Sequence, residues 1–165
     1  MMKRHVKPSL ALAQRILGNA DDAEEVVQEA FLRVWGWSAR WQPDGEARFS
    51  TWLYRIVVNL CLDRRRRPPF TDLEAAGEME TDEPNGLDLA VRTRSKAVMA
   101  EALTRLPARQ RAAIAVYYYE DVSAPEAARI LDVSLSALES LLVRARKALK
   151  KTLAERGVGT TGDLL

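Results

Sequence analysis

From residue 68 to residue 90 the chain carries seven acidic residues and no lysine or arginine. The stretch opens on Pro68-Pro69 and holds Gly77, Pro84 and Gly86, with few apolar residues between them. Such a segment cannot bury enough surface to offset the entropy lost on ordering it, so it reads as a flexible acidic linker. The linker divides the chain in two. Residues 1–67 and 91–156 form two blocks of helical character, and 157–165 are left as a disordered tail. A length of 165 residues accommodates two small domains of this kind. No strand-like alternation of useful length occurs, and the expected fold is all-α, two small helical domains joined by the linker.

Charge and composition exclude several classes. Hydrophobic residues make up 47% of the chain, enough for a core, and 25 Lys and Arg stand against 23 Asp and Glu. The near balance conceals segregation of the two signs along the chain, which is the informative part. One Cys (Cys61) and one His (His5) allow neither a disulfide within the chain nor a Cys/His metal cluster. They support no catalytic triad, and no Gly-rich phosphate loop is present, so neither an enzyme nor a cofactor is expected. Nothing approaches the length of apolar run that spans a bilayer. The basic start Met1-Met2-Lys3-Arg4-His5 leads into no apolar core, so a signal peptide is not expected either. A soluble cytoplasmic protein is the expectation.

The first block reads as three helices. One covers about Lys7–Leu17 and stops at Gly18-Asn19. The next starts near Asp21 or Asp22, and Val27, Ala30, Phe31, Val34 and Trp35 form its apolar stripe. After a loop around Gln42-Pro43-Asp44-Gly45, a third helix starts at Ser50 or Thr51 and buries Leu53, Ile56, Val57, Leu60 and Cys61. Cys61 on that stripe is expected to act as a small buried hydrophobe. Trp52, Arg55, Asn59, Asp63 and Arg66 gather within an arc of about 80° on the opposite side, and the helix runs into Arg64-Arg65-Arg66-Arg67. Two readings of that face stand. Arginines neutralise phosphates and an aromatic stacks on unpaired bases; equally, a solvated face with a basic end complements the helix dipole.

The second block reads as four helices, about 91–105, 108–119, 124–131 and 135–154. Pro107 starts the second. Ser123 with Glu126 three residues on is a capping-box pattern, and Ser134 or Ser136 caps the last helix. The short Asp132-Val133-Ser134 connection makes the last two helices a helix-turn-helix. In the last helix Leu138, Leu141, Leu142, Ala145, Ala148 and Leu149 share one side. Ser136, Glu139, Ser140, Val143, Arg144, Lys147, Lys150 and Lys151 share the other. Val143 in a polar face suits a thymine methyl, Ser140 and Glu139 suit base edges, and the basic end suits phosphates.

These segments resemble, in order, three motifs of bacterial RNA polymerase sigma factors of the extracytoplasmic-function family. Asp22 through Trp35 is similar to the region that grips the β′ clamp helices. Phe49 through Asp63 with the arginines after it is similar to the segment that opens and reads the minus-ten element. Leu106-Pro107, Arg109-Gln110-Arg111 and Val122 through Arg146 are similar to the region that reads the minus-35 element. The resemblance covers residues 8–155 and implies roles. Asp22, Glu25, Gln28 and Glu29 would meet core polymerase. Arg48, Phe49, Trp52, Arg55, Asn59 and Arg66 would handle the minus-ten strand, where a base is flipped from the duplex. Ser136, Glu139, Ser140, Val143, Arg144 and Lys147 would read the minus-35 groove. The helix Ala112–Tyr119 would pack on the β flap, with Tyr117-Tyr118-Tyr119 contributing to that surface or to the core, and the acidic linker would lie near the RNA exit path. Core RNA polymerase, promoter DNA and an anti-sigma factor are the implied partners, with no membrane insertion and a monomer when free.

The chain departs from the family pattern in places. Asp132 stands where Gly is frequent in the turn; Asp tolerates a left-handed backbone, so the turn is expected to be kept. Glu139 stands where many members carry Lys or Arg. Fewer residues precede Pro8 than is usual, leaving a clipped first helix or a misassigned start as explanations. Two other readings are a sigma-like decoy that titrates an anti-sigma factor and a stand-alone helix-turn-helix regulator. The decoy has less reason to keep two basic DNA faces. The regulator leaves the 22–35 motif unexplained and is usually a symmetric dimer.

Overall fold

A computed structural model describes residues 3–37, 48–66 and 87–157, the side chains of 87–93 excepted. Seven helices run through them: α1 (Lys3–Leu17), α2 (Ala20–Trp37), α3 (Phe49–Arg66), α4 (Leu87–Thr104), α5 (Ala108–Tyr119), α6 (Ala124–Leu131) and α7 (Leu135–Glu155). No strand occurs among the described residues. The loop around Pro43, Arg67 and residues 68–86 of the linker lie outside them. So does the tail beyond Gly157.

The all-α expectation holds, and helix boundaries shift where local chemistry decides them. α1 begins at Lys3, four residues before the position read from the sequence, and carries Pro8 within it. It ends at Gly18, which adopts φ +70° and donates from its N–H to the carbonyl of Gln14. A left-handed residue closes a helix cheaply only as glycine. The next residue, Asn19, caps α2. Asn19 Oδ1 accepts from the N–H groups of Asp21 (2.9 Å) and Asp22 (3.2 Å), so the cap is Asn19 and not either aspartate. Asp21 and Asp22 sit in the first turn, where their charge complements the helix dipole. α4 begins at Leu87 and so takes in the last residues assigned to the linker.

The helix-turn-helix forms as its sequence dictates. Ser123 and Glu126 make the reciprocal capping box of α6. Asp132 closes that helix in the left-handed region at φ 55°, ψ 47°, and the Val133 N–H returns to the Ala128 carbonyl. Ser134, and not Ser136, caps α7 by accepting from the Ala137 N–H at 3.1 Å.

α1, α2 and α3 pack around Leu12, Ile16, Val26, Leu53 and Val57. α5, α6 and α7 pack around Ile114, Val116, Ile130, Leu138 and Leu149. The halves also touch: α1 meets α5 and α4, and α3 meets α6 and α5. Cys61 is fully buried, and that burial pushes its thiol up to about 12, with Arg64 pulling weakly the other way. It is a packing residue, as its stripe position implied.

Candidate nucleic-acid interface

Three helix faces hold the residues singled out from the sequence. On α7, Leu138, Leu142, Ala145, Leu149 and Leu153 are buried, turning the opposite side outward. Ser136, Glu139, Ser140, Arg144 and Lys147 are exposed there, and Val143 is 55% exposed between them. Lys150 and Lys151 extend the basic end along the same face. Arg146 sits at the edge and donates to the Tyr118 hydroxyl at 3.2 Å, which ties α7 to α5. An exposed face of hydroxyls, one carboxylate, one branched apolar side chain and cations is equipped to meet base edges and phosphates together.

On α3, Arg55, Asn59, Asp63 and Arg66 are exposed, and Trp52 is half-buried. Trp52 lies against Phe49 with ring centroids 6.0 Å apart and against Trp37 at 6.4 Å. Phe49 in turn meets the His5 ring edge-on at 5.2 Å, and Arg48 precedes it in an exposed position. The aromatic end of α3 is therefore an anchored platform, and the polar side chains trail from it along one face. The four-arginine run is not one uniform surface. Arg64 pairs with Asp22 at 2.8 Å and with Glu25, and Arg65 donates to the carbonyl of Ile16 at 3.0 Å. Arg66 stays exposed. Arg67 lies outside the described residues.

On α2, Glu25, Gln28 and Glu29 are exposed and Asp22 is half-exposed. Arg33 covers Glu29 at 2.6 Å, one turn along. The apolar stripe of this helix is narrower than the sequence suggested. Ala23, Val26, Val27, Ala30 and Val34 are buried, but Trp35 is 72% exposed and Leu32 is 73% exposed. At 100° per residue Trp35 stands about 80° from Val27, outside the arc that α1 and α3 cover. Glu25, Gln28, Glu29, Leu32 and Trp35 therefore form one outward strip, recurring at three- and four-residue spacing. Leu32 is absent from the residues singled out in the sequence; its place one turn after Gln28, on the face assigned to polymerase, was the available signal.

Polar groups also join the two halves. Arg55 of α3 reaches Asp132 of the turn at 3.1 Å. The Arg111 side chain of α5 is buried and donates through Nε to the carbonyl of Arg15 at the end of α1. Its guanidinium also lies over Gly18, where a Cβ would meet Nη2 at 3.0 Å. Burial and the nearby Arg65 lower its pKa to about 10. Glu120, whose side chain is 6% exposed, takes a hydrogen bond from Tyr54 and faces Arg15 at 3.6 Å. Burial raises the Glu120 pKa, with Tyr54 and Arg15 opposing, and burial beside Glu120 raises that of Tyr54. Arg15 also stacks over the Tyr119 ring at 4.2 Å. Tyr117 and Tyr118 pack edge-on at 4.9 Å.

Among the described residues no group of His, Cys, Asp and Glu could hold a metal ion, and no helix is long and apolar enough to cross a membrane.

Comparison with known proteins gives a consistent pattern. Residues 1–68 match the family described as Sigma-70 region 2, and residues 96–149 match Sigma-70, region 4. The chain is 32% identical over 155 residues to the ECF RNA polymerase sigma factor SigW of Bacillus subtilis (strain 168), spanning 87% of this chain and 82% of that one. It is 33% identical over 156 residues to SigL of Mycobacterium tuberculosis, spanning 88% and 82%. Among solved structures, CnrH in complex with the cytosolic domain of CnrY is 30% identical with a TM-score of 0.66, covering 93% of this chain and 84% of that chain. RpoE of Bartonella quintana, in complex with the anti-sigma factor NepR, has a TM-score of 0.73 at 21% identity, covering 93% and 94%, and speaks to the fold alone.

Proposed function

The chain belongs to the extracytoplasmic-function (ECF) RNA polymerase sigma factors, and from that premise we propose how its three faces divide the work of promoter-specific initiation. It is a transcription initiation factor that binds core RNA polymerase and promoter DNA. The α2 strip, with Asp22, Glu25, Gln28 and Glu29 and now also Leu32 and Trp35, docks on the β′ clamp helices. Its carboxylates steer the encounter with a basic partner, and the two large apolar side chains supply buried contact area. The α3 face takes the melted minus-ten strand. Phe49 and Trp52 give the stacking platform, and Arg48, Arg55, Asn59 and Arg66 meet phosphates and base edges. The α7 face enters the minus-35 major groove. There Val143, Ser140, Ser136 and Glu139 read bases, while Arg144 and Lys147 hold phosphates.

In domain terms, residues 1–67 are the region 2 unit, 68–90 the linker, 91–156 the region 4 unit and 157–165 a tail. The chain acts in the cytoplasm as a monomer when free and performs no covalent chemistry itself. One protein of similar fold is in complex with an anti-sigma factor and another with the cytosolic domain of CnrY, and we extend control by an anti-sigma factor to this chain.

The exposed α7 face behind a fully capped helix-turn-helix carries this reading, because a decoy has no use for it. Transcription in vitro tests it. Purified chain is added to core polymerase lacking any sigma factor, with fragmented genomic DNA as template, and RNA starts are mapped. Discrete starts that share two upstream elements are expected. Binding to core with no starts would return the decoy reading, and no binding to core would return the stand-alone regulator.

A further inference from the structure

We propose that one row of α7, formed by Leu135, Glu139 and Val143, reads a pyrimidine run in the minus-35 groove: a cytosine at Glu139, with a thymine to either side on the same strand. The inference rests on the assignment of α7 above and goes further, to the bases that this face selects. Glu139 is exposed on the outward side of the helix. Two other surface glutamates pair with an arginine one turn on, Glu29 with Arg33 and Glu101 with Arg105. One turn from Glu139 stand apolar side chains instead, Leu135 before it and Val143 after it. Both are open to solvent, Leu135 at 44% and Val143 at 55%. The five Lys and Arg of α7 all lie from Arg144 onward, so the half of the helix that holds this row carries no cation. The row occupies the N-terminal half of α7, and the N-terminal residues of the second helix of such a motif are those that meet base edges.

The chemistry of the row selects the bases. An ionised carboxylate only accepts hydrogen bonds. In the major groove guanine and thymine offer acceptors, adenine sets an acceptor beside its amino group, and cytosine offers its N4 amino donor alone. Phosphates repel the carboxylate at every sequence, so Glu139 lowers affinity except where a cytosine amino group answers it. Leu135 and Val143 exclude water on both sides of that hydrogen bond, and the lower local dielectric strengthens it. Each also offers an apolar surface to a thymine C5 methyl. Four residues of helix rise about 6 Å, close to two base-pair steps of about 3.4 Å, so each thymine falls within about two steps of the cytosine. A cation in place of Glu139 would seek the O6 and N7 acceptors of guanine and reverse this choice.

The test is an unbiased selection. Parent and variant chains are assembled with core polymerase and bound to duplex DNA randomised across the minus-35 element, and the bound fraction is sequenced. The parent is expected to favour, by about tenfold, a cytosine flanked by thymines on one strand. Glu139→Gln is expected to move that one position from cytosine to adenine, whose N6 and N7 suit the paired hydrogen bonds of a glutamine amide. Glu139→Ala is expected to lose the preference there and to bind unselected duplex about two- to fivefold more tightly, the scale of one exposed charge contact. Leu135→Ala is expected to reduce the preference for a neighbouring thymine about fivefold and to keep the cytosine. Thermal melting of each variant should match the parent, because Leu135 and Glu139 are exposed. A Glu139→Ala chain as selective as the parent at every position overturns the proposal, as does a parent that selects guanine where Glu139 acts. Failure of the α7 assignment itself has a different signature: Arg144→Ala then binds as the parent does, and no position responds to any substitution on the helix.

Discussion

Tyr54 of α3 donates a hydrogen bond to Glu120 at the end of α5, and the two residues belong to opposite halves of the chain. Burial holds the Glu120 carboxyl above its ordinary range, against the opposing pull of Tyr54 and Arg15. A carboxyl raised where the two halves meet favours that contact when protonated. Its contribution is complete below the ordinary carboxylate value of about 4.3 and is lost as pH rises through the raised value. Lowering the pH from about 7.5 to about 5 should therefore compact the free chain, read by scattering. Glu120→Gln, neutral at every pH and still able to accept from Tyr54, should be compact at neutral pH with little pH response. His5 packs on Phe49 and is the only histidine, so His5→Gln serves as the control. An expanded Glu120→Gln chain at neutral pH would mean that the charged pair with Arg15 outweighs the desolvation of Glu120.

Arg64 holds Asp22 and Glu25, two of the acids assigned to the polymerase face, from within the same half. Substituting the arginine and substituting the acid should then diverge. Arg64→Ala should cost about 1 kcal/mol of stability, the scale of a partly exposed pair. It leaves both carboxylates in place and should bind core polymerase at least as tightly as the parent. Asp22→Ala should weaken core binding. Equal loss of core affinity in both variants would show that the pair matters only for folding.

Trp35 and Leu32 separate packing from docking. Both are more than 70% exposed, so Leu32→Ala and Trp35→Ala should leave the melting temperature nearly unchanged. Each should weaken core polymerase binding by about 1–2 kcal/mol, as apolar anchors at an interface do. Pull-down of core polymerase with thermal melting of the same samples reads both quantities. A large drop in melting temperature with unaltered core binding would return Trp35 to the hydrophobic core.

The contrast between Trp35 and Val143 shows where sequence periodicity stops informing. Both are exposed apolar residues on amphipathic helices, Trp35 at the margin of a buried stripe and Val143 within a polar face. Val143 was legible because polar residues flank it on every side of its face. Trp35 was not, since the width of a buried stripe depends on which neighbours cover it, and α1 and α3 leave that edge open. Caps within one turn were readable where one side chain had no rival, as at Ser123 with Glu126. At the start of α2 the sequence offered Asp21 and Asp22 and placed Asn19 in the stop of α1; the backbone geometry at Gly18 makes Asn19 the cap instead. The links from Arg55 to Asp132 and from Arg111 to Arg15 span 77 and 96 positions of sequence. No local pattern carries such pairs, because they follow from how two separately folded halves meet.

Arg144 gives the most direct reading of the α7 face. It is exposed between Val143 and buried Ala145, on the side that carries Ser140 and Lys147. A cation that neutralises one phosphate releases about one counterion, so Arg144→Ala should reduce the slope of log affinity against log salt by about 0.9. The loss should be similar across promoter sequences, because a phosphate contact carries no base information. Val143→Ala should do the reverse. Its salt slope should stay fixed while discrimination at a single thymine position falls by about 1 kcal/mol. Holoenzyme binding to duplex promoter DNA over a salt series, repeated with one base pair changed at a time, separates the two. An Arg144→Ala slope equal to that of the parent would remove the phosphate role. Uniform weakening in Val143→Ala would mean that the side chain supports the helix and reads no base.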